Sequence, residues 1–269
     1  MTGCGAAEVG AGDAARESTF LGTCTLLFIA SACATIDWCG SMSGGMPMPG
    51  GWTMSMAWMR MPGQTWLGAA ATFMGMWVVM MVAMMLPSLV PMLLRYRDAV
   101  RVSDEPRLAG MTALAGAGYF FVWASIGALA YPLGVAVAAA EMQWPALARC
   151  VPIATGVVLL LAGGVQLTAW KAHQLACCRG ACADEWSLPD AGSAWRHCRR
   201  LGAHCSSCCT GFMMILLVSG VMDLGAMALI AAAITAERFA PRPERAARAA
   251  GVVAIALGIL DIGRGVGLA

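Results

Sequence analysis

The groups in this chain best equipped for chemistry are sulfur and imidazole side chains, and they are unevenly placed. Of 12 cysteines, seven fall between residues 177 and 209: Cys177, Cys178, Cys182, Cys198, Cys205, Cys208 and Cys209. The three histidines, His173, His197 and His204, lie in the same stretch or just before it. Two knots stand out, C-C-R-G-A-C at 177–182 and H-C-S-S-C-C at 204–209. A C-x-x-C pair brings two thiolates onto one ion across a turn, and a group from the other half of the segment completes the shell. Thiolates are soft ligands that favour Cu(I), Zn(II) or iron–sulfur clusters over Mg or Ca. The spacing matches neither a standard zinc finger nor a bacterial ferredoxin. Disulfide or redox chemistry is the competing use of these thiols, and Cys24, Cys33 and Cys150, inside apolar runs, read as packing residues.

Methionine carries the second signal. Fourteen of 21 methionines lie between positions 42 and 92. Seven of them (Met42, Met46, Met48, Met54, Met56, Met59 and Met61) occupy a Gly/Pro-rich stretch containing G-G-M-P-M-P-G-G. Glycine and proline oppose regular structure there, so these thioethers are not one helix's apolar face. Thioether sulfur is soft and binds Cu(I) without deprotonation, making Met46 and Met48 candidate ligands. A membrane-interface segment with Trp52, Trp58 and Trp66 as belt residues explains the same stretch. Met76, Met80 and Met84 form a helical stripe, with Met74, Met81 and Met85 beside it, and read as core.

The elements that must position these groups are long and apolar. The 269 residues are 59% hydrophobic and only 12% charged, with mean hydropathy +0.71, against about 25% charged in an ordinary soluble domain. This indicates an integral membrane protein, and the net charge of +2 leaves no basic footprint for nucleic acid. Runs of roughly 20 apolar residues cross a bilayer as helices. Six are predicted, at 18–36, 67–94, 108–138, 147–168, 211–236 and 251–269. The fold class is therefore an all-α, polytopic transmembrane bundle of about six spans. Residues 1–17 form a polar N-terminal tail and 18–269 a single bundle, with a Met-rich loop at about 37–66 and a Cys/His-rich loop at about 170–210. Pro87 and Pro91 are expected to kink the second span.

Lysine and arginine in the connections favour an N-terminus inside, but Arg238, Arg242, Arg245 and Arg248 pull the other way. Arg16, the apolar run and Ala32-Cys33-Ala34 also admit a cleaved signal peptide. Asp223 falls halfway along the predicted fifth span, where a charge is costly and faces a bundle interior, holding an ion, a proton or a hydrogen bond. No G-x-S-x-G, P-loop, H-E-x-x-H or dinucleotide fingerprint is present, and nothing points to a particular enzyme.

Several of these residues come in a telling order. They are W-V-V-M-M-V-A-M-M-L-P-S-L-V-P at 77–91, Gly118-Tyr119 with Trp123, Gln166-Leu167 with Lys171, Cys178-Arg179, and Cys208-Cys209 followed by Gly220-Val221-Met222. Together they resemble the bacterial family of predicted metal-binding integral membrane proteins, some members of which are labelled copper chaperones. The resemblance runs from about Trp66 to Arg248. It implies a multi-span helical protein of the bacterial inner membrane, with Cys178, Cys205, Cys208 and Cys209 as candidate ligands. The chain departs from the pattern at Gln174, where a Cys is expected, and at Asp223, where Asn is usual; Cys177 or Cys182 would substitute for the missing thiol. The reading is a soft-metal protein, Cu(I) first and Zn(II) second, with Cys178, Cys205, Cys208 and Cys209 as the thiolate site and His204 as an added ligand. Its partners would be the lipid bilayer and a copper-accepting protein or membrane complex. A membrane thiol–disulfide oxidoreductase and a structural subunit are the alternatives.

Overall fold

A computed structural model describes residues 4–42, 44–101, 108–181 and 191–267. The described residues form eight helices and one small hairpin. Helix α1 (Cys4–Ser41) leads to β1 (Met46–Met48), β2 (Trp52–Met54) and a 3₁₀ turn (Met56–Trp58). Then come α2 (Trp66–Arg101), α3 (Leu108–Gln143), α4 (Pro145–Gln166) and α5 (Ala169–Ala176). A π-helical turn (Cys177–Ala181) precedes α6 (Ala191–Ser219), α7 (Leu224–Phe239) and α8 (Pro243–Gly265). The all-α expectation holds. Six helices are long and apolar enough to cross a membrane: Ala15–Ser41, Trp66–Asp98, Leu108–Gln143, Pro145–Gln166, Trp195–Ser219 and Pro243–Gly265. Their outer faces are apolar too, with Leu26 70% and Leu129 67% exposed, as suits a surrounding hydrocarbon phase.

The boundaries differ from the sequence reading in instructive places. The stretch read as a polar tail continues α1 in the structure, which begins at Cys4. Helix α2 runs through both Pro87 and Pro91 without ending. Two parts of the Met-rich loop are ordered: Met46 pairs with Met54 and Met48 with Trp52 across the hairpin. Trp52 Nε1 donates to the Ala148 carbonyl at 2.8 Å, pinning the hairpin to the start of α4.

The largest correction concerns the predicted fifth span, 211–236. It is two helices. Gly220 adopts φ +118°, a left-handed conformation that closes α6 at little steric cost. Asp223 then caps α7, its carboxylate accepting from the Ala226 amide at 2.9 Å, as N-cap aspartates do. Asp223 is therefore an exposed capping residue at a helix junction and not a charge buried mid-span. The membrane-length segment in this region is Trp195–Ser219, and α7 folds back alongside it.

Helices α4 and α8 make the closest pairing. A methyl group added at Gly163 would meet the Gly251 carbonyl at 2.7 Å, and one added at Gly156 the Gly258 carbonyl at 2.8 Å. The two backbones touch through these small residues, the mode by which helices associate where water supplies no drive. Overpacking a close contact costs roughly 1–3 kcal/mol. Gly163→Ala is expected to lower the unfolding midpoint in detergent clearly, whereas Gly164→Ala, whose methyl group would meet no neighbouring atom within 4 Å, is expected to leave it nearly unchanged. Equal midpoints would refute the contact.

Candidate metal centre

The thiols do not converge from a loop. Cys205, Cys208 and Cys209 lie on α6 at i, i+3 and i+4, on one helix face, and Cys178 reaches them from the π-helical turn. All four are free and buried. Cys178 interacts with Cys208, Cys208 with Cys209, and Cys209 with Cys205. The four sulfurs form a continuous chain inside the core cluster.

Groups from other helices hold the Cys205 end of that chain and the backbone at Cys208. Tyr119 of α3 places its hydroxyl 2.8 Å from Cys205 Sγ. Arg238 of α7 donates to the same sulfur from Nη2 at 2.6 Å. Lys171 of α5 is 1% exposed and donates to the Cys208 carbonyl at 2.7 Å. The same ammonium pairs with Glu237 Oε2 at 2.7 Å and lies 5.2 Å from the Phe212 ring. Buried charges persist when paired and hydrogen-bonded.

Arg179 locks this assembly together. Its guanidinium donates to the Ala240 carbonyl at 2.8 Å, satisfying an orphan acceptor at the C-terminal end of α7. Arg95 of α2 in turn donates to the Arg179 carbonyl at 2.9 Å. The turn carrying Cys178 is thus tied to both α2 and α7.

Electrostatics follow from these contacts. Burial opposes the Lys171 ammonium, but Cys208 and Glu237 more than offset it, and its pKa stands above the usual lysine value. Burial raises the Glu237 carboxyl, against the pull of Lys171. The hydrogen bond to Cys208, and then burial, keep the Cys178 thiol above its ordinary range.

The other candidate ligands are more dispersed. His204 Nδ1 sits 3.0 Å from Gln174 Oε1, so the glutamine at the family's expected cysteine position engages the histidine. Cys177 is disulfide-bonded, with its sulfur 3.7 Å from His173 Nε2, and is not one of the four linked thiols. Cys182 lies outside the described residues. Met46 and Met48 sit on the hairpin, with Met46 37% exposed, and Asp223 is at the α6–α7 junction. Among the described residues, no group of three or more His, Cys, Asp or Glu side chains is arranged to hold a metal ion. The thiol chain offers sulfurs in sequence and not a closed cage.

Sequence reasoning missed Tyr119, Glu237 and Arg238 as neighbours of the thiols. Glu237-Arg238 directly follows the apolar run of α7, and nothing in that local pattern points to the cysteines. Taken as one continuous span, 211–236 puts Arg238 on the side opposite the thiols; the break at Gly220 reverses that.

Fold and site together define a multi-pass, all-helical protein with a buried cluster of four thiols near its charged end. Comparison with known proteins narrows that class. The chain matches the PpoB2 copper chaperone family over residues 74–260, a stretch that contains all four thiols, and it belongs to that family. Family membership supports a copper-related function. No curated protein and no solved structure gives a significant match.

Proposed function

We propose that this protein binds Cu(I) within a membrane, at the thiols of Cys178, Cys205, Cys208 and Cys209, and passes it to a copper-accepting partner. The observation that carries the proposal is the charge balance around the buried sulfurs. Arg238, Lys171 and Glu237 sum to one positive charge. Cu(I) held by two thiolates sums to one negative charge, so the loaded site is neutral. Zn(II) in four thiolates would carry two negative charges, and a buried net charge is costly. Two-coordinate Cu(I) also needs no closed cage, which agrees with the open chain of sulfurs. Soft thiolates suit Cu(I) as they do Zn(II), so the charge balance makes the choice, and His204, one helical turn from Cys208, is the supplementary ligand.

The arginines support an orientation. Arg179 touches the end of α7, so α7 returns Arg238, Arg242, Arg245 and Arg248 to the end that holds Arg95, Lys171, Arg196, Arg199 and Arg200. The conflict among the basic residues disappears, and the positive-inside rule favours a cytoplasmic thiol end, against which stands the Cys177 disulfide, a bond that a reducing compartment disfavours. The bacterial inner membrane is the compartment this implies.

The test is metal stoichiometry on anaerobically purified protein exposed to competing Cu(I) and Zn(II), beside a Cys205→Ser/Cys208→Ser/Cys209→Ser variant. Bound copper is expected in the parent, and its thiol-dependent share is expected to vanish in the variant. An unchanged copper content would overturn the assignment. Absence of metal from both, with thiols that oxidise in pairs, would favour thiol–disulfide exchange.

A further inference from the structure

The end of the bundle opposite the thiols contains a cavity of about 180 Å³. Six of its lining residues are methionines: Met42, Met56, Met59, Met61, Met76 and Met222. They come from four separate places in the chain. Met42 follows α1, Met56, Met59 and Met61 belong to the turn before α2, Met76 is on α2, and Met222 is at the α6–α7 junction. No single helix face accounts for them, so the usual explanation of clustered methionine as one packing stripe does not apply.

The rest of the lining sharpens the chemistry. It consists of aromatic, alanine, threonine and glutamine side chains, with no carboxylate, imidazole, ammonium or guanidinium among them. Hard divalent cations need oxygen ligands and charge, and this wall offers them little. A neutral thioether wall suits a soft monovalent ion, and it needs no proton removed. Cys39 lies directly behind it, its sulfur 3.9 Å from Met222 Sδ, and exposed Asp223 adds a negative charge beside Met222. From the cavity, Met76 continues into Met80, Met81, Met84 and Met85, all buried in the same core cluster as the four thiols.

We infer that this cavity is a second soft-metal site, where thioethers capture Cu(I) on the face opposite the thiols and feed it inward along α2. Met46 and Met48 of the hairpin are not part of the lining. The inference rests on the copper reading above and adds a site with different ligand chemistry.

The two sites separate by pH and by mutation. Thiolate ligands compete with protons, whereas thioethers do not. Ag(I), a redox-inert stand-in for Cu(I), would be titrated into the full-length protein, into the three-cysteine serine variant, and into that variant with Met56→Leu/Met59→Leu/Met61→Leu added. These leucines fall in the turn before α2 and conserve volume, so the helices are left intact. The cysteine variant is expected to retain a fraction of the silver, with affinity unchanged between acidic and neutral pH. The added leucines are expected to weaken that fraction by about tenfold or more.

If the cysteine variant binds no silver, the cavity is not a site, and the thiol reading stands. If the cysteine variant binds as much as the parent, the thiol reading fails, and the leucines then decide the cavity alone. Silver that persists undiminished in the combined variant overturns the inference. As a check independent of these substitutions, X-ray absorption of silver in the cysteine variant is expected to show sulfur ligands only; an oxygen or nitrogen shell would also overturn it.

Discussion

Lys171→Met is expected to cost the protein a large share of its stability. The substitution removes the cation that lies 2.7 Å from both Glu237 and the Cys208 carbonyl. Glu237 would be left buried, with Oε1 already lacking a hydrogen-bond partner among the described residues. Removing one partner of a buried pair typically costs about 3–5 kcal/mol, against a total of roughly 5–15 kcal/mol for a folded domain. Thermal unfolding in detergent should show a much lower midpoint, or no folded protein recovered. Because the damage comes from an unpaired charge, Lys171→Met/Glu237→Gln should recover much of the loss. If Lys171→Met alone unfolds like the parent, the buried pair does not form.

Arg238→Gln should weaken copper binding while leaving the fold largely intact. Its guanidinium contacts Cys205 Sγ, and without it the copper–dithiolate unit would carry its negative charge uncompensated in a poorly solvated interior. Hydrogen bonds to charged groups are worth about 1.5–3 kcal/mol, so affinity should fall by roughly 10–100-fold. Competition against a chelator of known Cu(I) affinity measures this directly. Arg238→Lys keeps the charge but not the planar geometry and should lie between the two. The serine variant provides the floor. An Arg238→Gln protein with parental affinity would show that charge compensation does not hold the metal.

The elements were legible where local pattern suffices. Continuous apolar runs of 20 or more residues made the helical membrane class plain, and the stripe at Met76, Met80 and Met84 is buried, as its helical spacing implies. The crowding of cysteine between 177 and 209, with the family's motifs, singled out four thiols that the structure buries in one core cluster. What misled was continuity. The run 211–236 is uninterrupted in hydropathy, and its one break, Gly220 followed by the Asp223 cap, occupies four residues. Reading through it placed Asp223 at mid-bilayer and Glu237-Arg238 on the far side from the cysteines.

Composition and periodicity alone determined that this protein is a helical bundle rich in soft thiol and thioether sulfur, because hydropathy and side-chain softness are properties each residue carries by itself. The tertiary structure decided which charges meet which sulfurs. One glycine in a left-handed conformation turns α7 back along α6, and Arg179 clamps its far end beside Cys178. Arg238 is thereby set on Cys205, and Glu237 on Lys171, groups 33 and 66 residues apart in the chain. Such pairings depend on where helices return in space, and no local signal encodes that distance.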